Sequence, residues 1–190
     1  PEEVTAMLAN VMHDNSEVED LSIAVLRYKD GSLAQVTSSV VHHGEEQGIV
    51  LQCADAKISA PWDVKAELSR PNGFPVDGGN KELVGKIEEF YGSIPDLVYE
   101  GHTGQIEDVL NAIEKGTKPL ITGVDGRMTI ELITAIYKAG CKKEIVKLPL
   151  SKDDDFYTFE GLLKNAVRFY EKGTAIENLP PDEISVGNYK

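Results

Sequence analysis

The sequence predicts an α+β fold, a largely antiparallel open sheet with helices packed on one face. Three observations predict it. The first third of the chain alternates apolar and polar residues with the period of two that a half-buried strand needs. Beyond residue 80 the period becomes the i, i+3, i+4, i+7 of an amphipathic helix. The two patterns are segregated along the chain, which selects α+β over a parallel sheet with alternating strands and helices. With 190 residues the chain is long enough for one domain with a sizeable core, and it reads as a single domain over 1–190.

The strands come first. In "VTAMLANVM", Val4, Ala6 and Leu8 share one face and Thr5, Met7 and Ala9 the other. "LSIAVLRYKDGSLAQVTSSVVHH" is a hairpin, with Asp30-Gly31 expected to supply the two positive φ values of a tight turn. On its second strand Leu33, Gln35, Thr37, Ser39 and Val41 form one face; its Gln, Thr and Ser suit water, a partner subunit or a ligand. "GIVLQCADAKISAP" reads as a strand, a turn at Asp55-Ala56 and a return strand, and "VKAELS" places Val64, Ala66 and Leu68 inward. Short turns between consecutive strands predict an antiparallel meander.

"RPNGFPVDGGN" breaks the pattern. Gly78-Gly79 invites comparison with a phosphate cradle. The GxGxxG and GxxxxGK spacings and a preceding buried strand are missing, so the favoured reading is a surface loop. Asn80 is the expected N-cap of a helix with the stripe Leu83, Val84, Ile87, Phe90 and Tyr91, stopped at Gly92. Thr103 is the expected cap of the next, with Ile106, Val109, Leu110 and Ile113 inward and Gly116 as its end. Asp125 is the expected cap of a third, with Met128, Leu132, Ala135, Ile136 and Ala139 inward and Gly140 as its stop. "EIVKLPL" follows as a short strand, "FYTFEGLLKNAVRFYEKG" as a partly helical segment, and "NLPPDEISVGNYK" as a tail extended at its proline pair.

Composition excludes several functions. Lys plus Arg is 19 and Asp plus Glu 32, so the net charge is 19 − 32 = −13. That balance argues against a nucleic-acid partner and against an anionic membrane surface. No apolar run reaches the roughly 18 residues of a membrane span. Cys53 and Cys141 form no CxxC pair and read as buried thiols of a cytoplasmic protein. The four histidines, His13, His42, His43 and His102, have no metal-ligand spacing. Pro1 follows no Met, which is expected of a processed terminus or of a piece cut from a larger protein.

The order "DLSIAVLRYKDGSLAQVTSSVV", "IVLQCADAKIS", "GHTGQIEDVLNAIEKGTKPLITGVDGRMTIELITAIYKAG" and "VKLPL" resembles the C-terminal domain of the Gfo/Idh/MocA oxidoreductases, the family of glucose–fructose oxidoreductase and inositol dehydrogenase. The resemblance runs from about Val4 to Leu150 and is most specific in "AIEKGTKPL", "G-DGR" and "ELITAIYKAG". It implies a two-domain parent with an NAD(P)-binding Rossmann domain ahead of this one. The G-x-G-x-x-G fingerprint of such a domain is missing here, so no cofactor is expected on this chain and NAD or NADP is implied for the parent. The family's Glu-Lys-Pro segment has only a near match in "EKGTKP", where Gly replaces Pro, so no catalytic residue is assigned.

The resemblance makes the chain the substrate-binding and oligomerisation half of a sugar or polyol oxidoreductase. Its expected partners are its own Rossmann domain, a small-molecule substrate and further copies of itself through the open sheet face. A stand-alone ligand-binding or dimerisation module is the alternative. The candidate substrate-binding residues are His42, His43 and His102. His42-His43 end a strand and lead into "GEEQ", where family loops carry polar groups toward substrate; an exposed strand-end pair is the plain reading. His102 precedes a helix start and either lines a cleft or covers the helix end. Trp62 reads as a packing anchor whose indole N–H finds a partner, and Arg70 as an exposed loop residue, with a substrate carboxylate as its functional alternative.

Overall fold

The structure, a computed structural model, describes residues 1–44 and 46–172. The tail at 178–190 and Glu45 of "GEEQ" lie outside the described residues. In chain order the elements are strands β1 (Glu3–Ala9), β2 (Leu21–Arg27), β3 (Leu33–Ser39), β4 (Ile49–Gln52), β5 (Ala56–Ala60) and β6 (Asp63–Ala66). Helices α1 (Lys81–Gly92), α2 (Gly101–Lys115) and α3 (Gly123–Lys142), strand β7 (Val146–Lys147) and helix α4 (Phe159–Asn165) follow. The fold is α+β, with open antiparallel sheets.

The strands do not form one meander. They make a four-stranded sheet of order β3-β2-β1-β7 and a three-stranded sheet of order β4-β5-β6. The described chain accordingly forms two compact units, Pro1–His43 with the residues from Ile121 onward, and Gly44–Leu120. A local hydrogen-bond choice ends the first ladder. Ser39 Oγ accepts the N–H groups of Val41 and His42, at 3.1 and 3.2 Å, so those donors are turned away from strand pairing.

In the first unit the expected faces hold. Val4, Leu26 and Val146 are buried from the sheet side and Ala135 and Ala139 from α3, with Leu150 completing the cluster. Ala6, Ala34, Leu132, Ile136 and Leu148 pack around it. The pairs Val4↔Leu26 and Leu26↔Ala34 fix the register that puts these side chains on one face. Small residues let α3 lie close. A Cβ at Gly140 would overlap the Leu8 side chain, so Gly140 is a packing glycine inside α3 rather than its stop. The helix runs on to Lys142 and ends at Lys143 in the left-handed conformation. Its N-cap is Thr122; Asp125, expected to be the cap, is the third helical residue, and its carboxylate accepts the Thr122 N–H at 2.8 Å. Met128, expected inward, is 56% exposed.

The β2–β3 turn also differs in detail. Gly31 has φ +87° and Asp30 has no positive φ. Gly31 N–H donates to Tyr28 O and Tyr28 N–H to Ser32 O, so the loop has three central residues with one left-handed glycine. Asp30 Oδ1 accepts both the N–H and the hydroxyl of Ser32, which fixes the turn.

In the second unit α1 packs against β6, and Asn80 Oδ1 caps it by accepting Leu83 N–H at 3.1 Å. Leu83, Val84 and Ile87 are half-buried while Phe90 is exposed; Tyr91 stacks on Trp62 with ring centroids 3.7 Å apart and planes 3° from parallel. Trp62 thus packs on Tyr91 as an exposed stacked pair, and the indole N–H partner expected for it is not among the hydrogen bonds of the described residues. Leu68 lies beyond the end of β6 and is exposed. Helix α2 starts two residues before Thr103, with Glu100 as N-cap, and ends on Gly116 at φ +62°. Its stripe of Ile106, Val109, Leu110 and Ile113, expected inward, is exposed, and Ala112 is its one buried residue. Periodicity defined the stripe, but a stripe is buried only where another surface is built to meet it.

Candidate functional site

His42 and His43 close the first unit, just past β3, and both are exposed. Their position follows from Ser39, whose hydroxyl takes the His42 N–H and bends the chain out of the sheet. Gly44, at φ +76°, carries the turn onward. His102 belongs to the second unit. It stands in the first turn of α2, not before it, is exposed, and its Nδ1 lies 3.3 Å from Gln105 Oε1. The described structure therefore joins His42 and His43 at one strand end and leaves His102 on a separate element. All three are free to meet a small polar molecule. Each ring offers one donor and one acceptor when neutral.

Arg70 sits in an exposed loop whose backbone closes on itself, Arg70 N–H to Phe74 O and Gly73 N–H to Arg70 O. Cys53 is exposed and Cys141 half-buried, and both are free thiols; neither is the buried thiol the sequence suggested. Cys53 lies at the β4–β5 turn, where its N–H donates to Ala56 O, so its side chain has no core to enter.

Gly78 and Gly79 have φ of +94° and +64° and lead into α1. They border a hollow of about 350 Å³ together with Lys65, Glu67, Asn80 and Glu88. Asn80 already takes a first-turn N–H, and the two glutamates balance the two lysines, Lys65 and Lys81, that also line it. The residues do not fit a dinucleotide pyrophosphate, because the tight G-x-G-x-x-G turn that would hold it does not join β6 to α1; the long stretch 67–80 lies between them. Among the described residues no group of His, Cys, Asp and Glu is arranged to hold a metal ion. No helix among them is long and apolar enough to cross a membrane.

One polar constellation escaped sequence reasoning, the Asn10–Asp20 loop between β1 and β2. Asp20 is buried, and its carboxylate accepts the N–H groups of Val11, Met12 and His13 at 2.9, 2.9 and 3.3 Å. His13 Nδ1 stands 3.1 Å from the same carboxylate. Asn10 is buried too, and its amide donates to the carbonyls of His13, Ser16 and Val18. Glu19 accepts the Tyr137 hydroxyl from α3. Burial, then the Glu19 carboxylate, push the Tyr137 hydroxyl well above the usual tyrosine range. The only sequence signal was a polar run between two strands, which does not say which side chain turns inward.

Burial by itself would raise the Asp20 carboxyl; the converging N–H groups and the His13 ring outweigh it and hold it below the usual carboxylate range. A carboxyl depressed in the fold stabilises above its unfolded value, about 3.9, and loses that contribution as pH falls through its folded value. Asp20→Asn is therefore expected to melt below wild type at neutral pH, with the gap closing in acid. Thermal melts of both proteins from neutral pH downward check it, and a gap that stays constant would refute it.

Residues 1–59 match the family described as the GFO/IDH/MocA C-terminal domain. None of the curated proteins compared matches the chain significantly. Solved structures share the fold. The WlbA dehydrogenase from Bordetella pertussis, in complex with NADH and UDP-GlcNAcA, matches with TM-score 0.55 and 21% identity over 79% of this chain and 42% of its own. Aldose-aldose oxidoreductase from Caulobacter crescentus, complexed with glycerol, has TM-score 0.53 and 19% identity over 78% of this chain and 41% of its own. Levoglucosan dehydrogenase, in complex with NADH and levoglucosan, has TM-score 0.53 and 18% identity over 79% of this chain and 45% of its own. At these identities the likeness establishes the fold, and the chain spans less than half the length of these structures.

Proposed function

Because residues 1–59 carry the GFO/IDH/MocA C-terminal domain, we propose that this chain is the substrate-binding and oligomerisation half of an NAD(P)-dependent oxidoreductase acting on a sugar or polyol hydroxyl in the cytoplasm. The family match carries the reading. The titles of the fold relatives, which pair NADH with sugars or their derivatives, support it. The nicotinamide would be held by a Rossmann domain of the parent protein, since the residues here do not fit it.

This chain's part is to present polar groups to the substrate. His42, His43 and His102 would orient hydroxyls, which need several neutral donors and acceptors rather than one strong charge. The face of the four-stranded sheet turned from α3 would meet another copy. It presents Met7, Ile23, Val25 and Leu33 with Gln35 and Thr37, all exposed.

The test is made on the parent protein and on this chain side by side. Calorimetric titration with NAD and NADP should give binding to the parent and no heat with the chain alone. In the parent, losing an orienting histidine should lower kcat/KM about 10–100-fold, the effect of a hydrogen bond of ~1.4–2.7 kcal/mol. Low-micromolar cofactor binding by the chain alone, or a coding sequence upstream of Pro1 with no strand–GxGxxG–helix unit, would overturn the assignment. If His42→Ala, His43→Ala and His102→Ala all keep wild-type kcat/KM, none of them is a substrate ligand.

A further inference from the structure

We propose that the hollow between β6 and α1 is a binding site for a zwitterionic amino acid with an apolar side chain. It lies wholly within the second unit, and none of the three candidate histidines lines it. Nothing in it depends on the redox activity put forward above.

Register places the lining groups. Asn80 N–H donates to Ala66 O at 2.8 Å, and Tyr91 stacks on Trp62, so strand and helix run antiparallel. On α1, Lys81, Val84, Gly85 and Glu88 line the hollow at the i, i+3, i+4, i+7 spacing of one helix face. Tyr91 follows one turn on. The antiparallel register sets Glu67 at the Lys81 end and Lys65 toward Glu88. Each end thus has one ammonium and one carboxylate, and they are left open. Among the described residues none of the four is in an ion pair or a hydrogen bond. Pairing is the rule close by. Lys57 takes Asp63, two residues before Lys65, and Lys86 takes Glu82 elsewhere on α1, each at 2.6 Å. Asn80 is half open as well. Its Oδ1 accepts Leu83 N–H, and its NH2 group donates to no described residue.

Gly85 points the same way. It sits mid-helix, where glycine weakens α1 relative to alanine. Its φ is not left-handed, and a Cβ there would meet nothing within 4 Å. Neither backbone nor packing calls for glycine at this position. What its missing side chain does is leave the hollow unobstructed, and at about 350 Å³ the space is within the range of small-molecule sites.

Charge selects the ligand. An anion would meet both glutamates, a cation would meet both lysines, and a neutral sugar needs no formal charge opposite it. A zwitterion satisfies one ammonium and one carboxylate at once, through the charge-assisted hydrogen bonds that are the stronger kind. The Asn80 end suits its head, because the free NH2 group adds a donor for the ligand's carboxylate beside Lys81, and Glu67 takes the ligand's ammonium. Val64 and Val84, both half-buried, then line the path of an apolar side chain toward the aromatic pair.

Trp62 is the chain's single tryptophan, so its fluorescence reports on the site without a label. Titration of the chain with L-leucine, followed by that emission and by calorimetry, is expected to saturate. Leucinamide keeps only the ammonium and 4-methylpentanoate only the carboxylate, and each is expected to bind at least about tenfold more weakly, the loss of one hydrogen bond between charged groups. Gly85→Leu fills the hollow with a better helix former, so it is expected to raise the melting temperature while abolishing binding. Lys81→Ala/Glu67→Ala removes two exposed, unpaired groups and should keep the wild-type melting temperature with affinity at least about tenfold lower. The assignment falls if L-leucine gives neither heat nor a change in emission, or if either one-charge analogue or maltose binds as well as L-leucine. It falls also if both variants keep wild-type affinity.

Discussion

Phe156→Ala is expected to destabilise the first unit by about 3–5 kcal/mol, the cost of a large buried aromatic lost with its cavity unfilled. Phe156 is 1% exposed and is one of the two largest fully buried side chains among the described residues. Its surroundings are rigid. Its N–H donates to Asp154 Oδ1 at 2.9 Å, Asp154 pairs with Lys138 of α3, and the Lys142 ammonium lies 5.6 Å from the ring centroid. The first two tether the segment to α3 whether or not the ring is there, so the cavity has little room to collapse. Urea unfolding followed by circular dichroism measures the loss. Phe159→Ala, 70% exposed three residues on, should change stability by no more than about 0.5 kcal/mol. Equal effects at the two positions would show that the segment is not packed as described.

Leu26→Ala should cost about 2–5 kcal/mol. Leu26 is 3% exposed, with Val4 on one side and Ala34 on the other, in the cluster that includes Ala135 and Ala139. The alanines opposite cannot reach into the space a lost isobutyl group leaves. Ile106→Ala on α2 is the contrast, since its side chain is 60% exposed and should matter little. The same unfolding experiment reads both. A large loss at Ile106 would mean that the α2 stripe is covered in solution.

The period-two alternation of Val4, Ala6 and Leu8 was legible because a strand has only two faces, and one buried face determines the other. The α3 stripe was legible for a similar reason, and Leu132, Ala135, Ile136 and Ala139 do face the sheet. Asn80 and Gly116 behaved as caps because capping is local chemistry between neighbours in sequence. The candidate histidines were legible only as positions. The structure adds that all three are exposed.

What needed the tertiary structure shares one physical cause, the dependence of a side chain's role on residues distant in sequence. Gly140 looked like a helix stop until Leu8, from the first strand, was seen to occupy the space a Cβ would need. Nothing in the sequence singled out Asp20, on which three N–H groups and His13 converge in the fold. The α2 stripe looked like core, but periodicity shows only that a helix has an apolar side, not that a surface is built to meet it. By itself the sequence determined the α+β class, the strand faces and the family likeness, because these rest on local pattern. The division into two sheets, the inward turn of Asp20 and the exposure of α2 were decided by the assembled fold, where hydrogen bonds and packing compete across the whole chain.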